Sequence, residues 1–133
     1  MGERERIVGH LRRVRSFADC SDDELLAIND LMTEVTIDAG ETLTQQGEVG
    51  WDFMVIVDGH ASVEIDGEEV CGVMEGSFVG EVALLGDGRR SATVKAVTPV
   101  RAYLLGAIDF QRLLDRAPTL RGKIEQAAAD RRP

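Results

Sequence analysis

The sequence predicts an α+β chain that is mainly β: an antiparallel eight-stranded jelly-roll barrel flanked by N- and C-terminal helices. Three observations carry this. Short β-rich runs crowd the stretch 34–105, separated by glycine turns. Helical periodicity is confined to the two ends, 1–33 and 106–133. At 133 residues, with 44% hydrophobic residues, the chain has the length of one domain, and 1–133 is read as such.

At the N-terminus, residues 3–15 place Ile7, Val8, Leu11 and Val14 on one helical face. Ser21 followed by Glu24 is a capping box, and Cys20 with Leu25 forms its hydrophobic staple. Leu25, Leu26, Ile28, Leu31 and Met32 then line a helix to about Thr33. The strands read as Val35–Ile37, Thr42–Thr44, Phe53–Val57, Ala61–Ile65, Val70–Val73, Ser91–Val97 and Val100–Leu105. Asp58-Gly59 and Asp66-Gly67 between apolar runs are hairpin signals, because the favoured tight turn needs positive φ at both central residues. Antiparallel strands this short and this closely spaced suit a barrel or jelly roll. Ile108, Phe110, Leu113 and Leu114 support a further helix, which Pro118 breaks. A last helix runs from Thr119 to Arg131-Arg132-Pro133.

The formal charge is −9, which argues against nonspecific nucleic-acid or membrane binding. Its distribution says more. From Phe17 to Gly88 there are 18 acidic residues and no Lys or Arg, and Arg89 and Arg90 then stand side by side. This reads either as a solvated acidic face with two surface arginines or as two cations placed for a small anion. No apolar run is long enough to span a membrane, and the start MGERERIVGH has no signal-peptide pattern. With only Cys20 and Cys71, neither a disulfide framework nor a zinc spacing is present, so a cytoplasmic chain is expected.

One segment, 76–94, interrupts the strands. Val82 to Leu85 are apolar between glycines and long enough for a single helical turn. The first N–H groups of such a turn have no intrahelical partner, and Gly80 lets a ligand approach them. Gly86-Asp87-Gly88 turns the chain back, so that Arg90 and the N–H groups of Ser91 and Ala92 can face the same point. Backbone donors from two segments with one guanidinium describe a phosphate site. Glu81 cannot bond a phosphate but can accept from a sugar hydroxyl, so together with Arg90 it selects a nucleotide. The alternative for Glu81 is a buried structural pair with Arg90 and no ligand.

The stretch from Phe78 to Ala96 resembles the phosphate-binding cassette of cyclic nucleotide-binding domains, the family of the cAMP-dependent protein kinase regulatory subunit and the bacterial catabolite activator protein. The residues that carry the likeness are Gly80-Glu81-Val82-Ala83-Leu84-Leu85, four residues, then Arg90-Ser91-Ala92-Thr93-Val94. Ala39-Gly40-Glu41, Gln46-Gly47-Glu48 and Val55-Ile56-Val57-Asp58-Gly59 also fall where members have equivalents, so the likeness covers almost the whole chain, with the cassette at 78–94. It implies a regulatory domain that binds cAMP, with cGMP possible. Arg90 would pair with the cyclic phosphate, and Glu81 would take the ribose 2′-hydroxyl. The backbone at Gly80 would meet the ribose or phosphate, and the N–H groups near Ser91 and Ala92 the exocyclic oxygens. Val82 and Ala83 would line the site on the short helix. The Ser91 hydroxyl is compatible with either base. Ligand binding would shift the helix beginning near Ile108 and bring the C-terminal helix over the pocket.

Arg89 departs from the family, standing where many members have proline, and what caps the base is open. No helix-turn-helix follows, so no direct DNA binding is expected. The effector or partner protein is unspecified, and a homodimer is compatible with the sequence.

Other chemistries find little support. Gly86-x-Gly88 fails the dinucleotide fingerprint, because Ser91 replaces the third glycine and a strand follows. His10 and His60 are too far apart in sequence to suggest a metal cluster, so no metal is expected and no cofactor beyond the nucleotide ligand. No nucleophile–base set suggests catalysis. Trp51 either caps the end of the barrel or contacts a partner. A ligand-free protein-interaction module with the same fold is the rival reading, and a remnant transcription factor with basic ends a second.

Overall fold

The computed structural model describes residues 2–131, so Met1, Arg132 and Pro133 lie outside the described residues. Helices α1 (Glu3–Arg12) and α2 (Asp22–Leu31) precede the strands. Val14 is buried as expected but lies beyond the end of α1, and a 3₁₀ turn at Arg15–Phe17 follows it. The capping box forms: Ser21 Oγ accepts from the Glu24 N–H, and the Glu24 carboxylate accepts from the Ser21 N–H. Cys20 and Leu25, the staple pair, are both buried in one core. Glu24 also accepts from the N–H and Oγ1 of Thr119, so one carboxylate caps two helices.

Eight strands follow: β1 (Thr33–Ile37), β2 (Thr42–Thr44), β3 (Asp52–Asp58), β4 (His60–Ile65), β5 (Glu68–Met74), β6 (Phe78–Val79), β7 (Thr93–Ala96) and β8 (Val100–Gly106). They divide into two antiparallel four-stranded sheets, ordered β1-β8-β3-β6 and β2-β7-β4-β5. The hydrogen bonds of the described strands thus make two facing sheets and do not close a single barrel. α3 (Glu81–Leu85) separates β6 from β7, and α4 (Ala107–Arg116) and α5 (Pro118–Arg131) close the chain. Pro118 breaks α4 and itself opens α5, a first-turn position that needs no backbone N–H.

Two cores explain why β3 reads as a continuous apolar run without alternation. Phe53 and Val55 face the helices, in a cluster with Phe17, Phe78, Leu105 and Phe110. Met54 and Ile56 face the other sheet, among Ala61, Val73, Val79, Val94 and Ala102. A strand covered on both faces has no solvent side to make polar. β5 is the opposite case: an edge strand in which only Val73 is buried. The Asp66-Gly67 turn between β4 and β5 has positive φ at both residues, as its type requires.

β6 is too short to show a sequence period. It pairs Val79 with Met54 and Phe78 with Val55, which sets Gly80 and α3 at the edge of the first sheet.

Candidate functional site

Gly80 has φ +100°, which a residue with a side chain rarely adopts. A Cβ there would also meet the Asp52 carbonyl oxygen at 2.5 Å and Arg90 Nη1 at 2.7 Å. This close approach sets Glu81 as the first residue of α3, fully buried. Among the described residues, the backbone N–H groups of Val82 and Ala83 find no acceptor, as the first turn of a helix dictates.

The chain returns through Gly88, Arg89 and Arg90, and the loop 46–50 holds it. Gly47 N–H donates to the Arg90 carbonyl, Arg90 N–H to Glu48 O, and Gly50 N–H to Gly88 O, all within 2.8–2.9 Å. Arg89 is exposed and spends its guanidinium on Gly47 O at 3.0 Å. Arg90 turns inward and is 8% exposed, with Nη1 donating to the Asp52 carbonyl at 2.9 Å. Its path runs beside Gly50, where a Cβ would come within 1.8 Å of Nε. Burial pushes the Arg90 guanidinium below its ordinary pKa, against the pull of Asp52 and Glu81. Thr44 Oγ1 holds the Ala92 carbonyl at 3.0 Å. The N–H groups of Ser91 and Ala92 have no acceptor among the described residues.

These segments enclose one side of a cavity of about 210 Å³. All seven residues expected at the site line it: Gly80, Glu81, Val82, Ala83, Arg90, Ser91 and Ala92. The opposite wall comes from β4 and β5, through Val63, Ile65, Val70, Cys71 and Val73. The cavity is therefore polar at the cassette and apolar at the sheet.

Arg131, on α5, also lines the cavity, and the sequence reading missed it. Its Nη1 donates to Glu81 Oε1 at 2.5 Å and to the Phe78 carbonyl at 2.6 Å. The structural pair considered between Glu81 and Arg90 is thus made with Arg131 instead, while Arg90 is held by a backbone carbonyl. Glu81 Oε2 is buried with no partner among the described residues. Burial raises the Glu81 pKa above the ordinary carboxylate value, although Arg131 and Arg90 pull it down. A buried acceptor left unsatisfied costs stability.

Trp51 neither caps the interior nor hides. It is 60% exposed and packs beside the cassette loop, where a Cβ on Gly88 would meet its ring at 3.3 Å. His60 is exposed, and no cluster of metal-ligating side chains occurs among the described residues. No helix among them is long and apolar enough to cross a membrane.

Residues 34–117 match the family model of the cyclic nucleotide-binding domain. A cAMP-dependent protein kinase regulatory subunit of Yarrowia lipolytica is 36% identical over 108 residues, covering 80% of this chain and 29% of that protein. The cGMP-dependent protein kinase egl-4 of Caenorhabditis briggsae is 35% identical over 128 residues, covering 91% and 17%. The chain thus spans less than a third of the length of these curated relatives. Among solved structures, a cAMP-bound PfPKA-R superposes with a TM-score of 0.77 at 28% identity, covering 94% of this chain and 42% of the other. The chain belongs to the cyclic nucleotide-binding domain family.

Proposed function

We propose that this domain is a non-catalytic sensor that binds a cyclic nucleotide, cAMP foremost, and passes the signal on through its C-terminal helices. The observation that carries the reading is the shared cavity of Arg90, the open N–H groups of Ser91 and Ala92, and Glu81 with its unpartnered Oε2. Arg90 pairs with the cyclic phosphate, and the Ser91 and Ala92 N–H groups take its exocyclic oxygens. Gly80 admits the sugar to the backbone, and Val82 and Ala83 pack beside it. The ribose 2′-hydroxyl donates to Glu81 Oε2 while Arg131 keeps Oε1. The purine rests on the apolar wall of Val63, Ile65, Val70 and Val73. That wall offers no charged group to read guanine, which supports cAMP, as does the cAMP-bound relative.

The same geometry supports the signal route. Glu81 sits on the cassette and Arg131 on α5, so a ligand that acts on Glu81 acts on the last helix through one ion pair. A ligand biases such a movement only by its differential affinity for the two positions. The proposal includes a cytoplasmic setting. Equilibrium titration of cAMP into the chain tests the proposal. Saturable one-to-one binding is expected, and no binding of cAMP or cGMP overturns it.

A further inference from the structure

Cys71 lies in the cavity wall on β5, opposite Val63 of β4, and is exposed. The other cysteine, Cys20, is buried, and burial with Glu24 beside it pushes its thiol up to about 11. A thiol reacts only where a reagent can reach it, which the exposed Cys71 allows and the buried Cys20 does not. The cavity also holds an independent sign of ligand binding, the fully buried Glu81 whose Oε2 has no partner.

We propose that Cys71 is a covalent modification site for small neutral electrophiles, and that an adduct on its sulfur closes the cavity to nucleotide. This rests on the cyclic nucleotide reading of the same cavity. The chemical class follows from the surroundings. Val63, Ile65, Val70 and Val73 make the wall apolar, which favours a neutral reagent. Glu64, Glu68 and Glu69 stand on the same hairpin, and their charge repels anionic reagents such as glutathione disulfide.

An α,β-unsaturated carbonyl compound meets these requirements. The Cys71 thiol gives its proton to solvent, and the sulfur adds to the β-carbon. A C–S bond forms, the C=C π bond breaks, and the α-carbon takes a proton from water. The product is a thioether, with no oxidant or leaving group needed. Cys71 lines the same wall as the apolar residues proposed to hold the purine, so the substituent takes up space that the base would use.

The test uses N-ethylmaleimide on the native chain, with intact mass, peptide mapping and cAMP titration before and after treatment. One adduct on Cys71 is expected, with cAMP binding lost from the adduct. Cys71→Ser should take no adduct under the same conditions, and its own cAMP affinity should be the same before and after treatment. With cAMP at ten times its Kd, labelling of the parent should slow about tenfold, because only the unliganded fraction reacts. If the untreated parent binds no cAMP, the nucleotide reading itself has failed. If it binds, yet Cys71 does not label or the adduct binds as well as the parent, this inference alone is overturned.

Discussion

Arg131 Nη1 donates to Glu81 Oε1 at 2.5 Å across fifty residues of sequence, joining the end of α5 to the start of α3. The two ends of the pair differ: the Glu81 side chain is 1% exposed and that of Arg131 39%. From the cavity rim the arginine therefore opposes the burial that favours the protonated carboxyl, and it leaves Oε2 for the sugar hydroxyl proposed above. Removing it leaves a buried charge without its counter-ion, which drives protonation. Arg131→Ala should bind cAMP several-fold more weakly than the parent, and its affinity should fall off more steeply as pH drops towards 5. Tighter binding by this variant would show that Arg131 competes with the ligand.

The raised pKa of Glu81 couples the ligand-free fold to pH with a definite sign. A carboxyl whose folded pKa lies above its ordinary value of 4.5 contributes stability that is full below 4.5 and is lost as pH rises through the folded pKa. Glu81→Gln lacks that titration. Its melting temperature, relative to the parent, should therefore climb between pH 4.5 and 7.5, while its cAMP affinity falls. A difference in Tm that stays flat with pH would contradict this assignment.

Gly50 supplies a steric test of the Arg90 position. Its missing Cβ is what Nε of Arg90 passes, at 1.8 Å from where that atom would stand. Gly50→Ala must push the buried guanidinium away from the cavity and from the Asp52 carbonyl. Weaker cAMP binding is expected in a variant whose far-UV circular dichroism matches the parent's. Parent-like affinity would mean that Arg90 reaches the ligand by another path.

Much of this was readable from the residues. β3 announced itself as a five-residue apolar run because both of its faces are covered. Ser21 and Glu24 announced the start of α2 because capping is local in sequence. Glu81 and Arg90 could be singled out because only eight residues, one short helical turn and a glycine-bounded loop, separate them. Other features depend on packing between distant segments. The Arg131 contact needs α5 to lie over α3, and nothing in the pattern of α5 distinguishes that arginine from Arg121. Gly50 is required by the course of a side chain forty residues away, not by its own turn. β6 has two residues and no period, and the eight strands divide into two sheets by pairings that their individual patterns do not encode.

The central claim is that Arg90 is the phosphate ligand of a cyclic nucleotide site. Calorimetric titration of cAMP and cGMP into the parent and Arg90→Ala tests it most directly. Loss of one charge-assisted contact costs about 1.5–3 kcal/mol, or about ten- to a hundredfold in affinity. The account predicts saturable binding to the parent, tighter for cAMP than for cGMP, and a loss of that size in the variant. Equal cAMP affinity in parent and Arg90→Ala would contradict it.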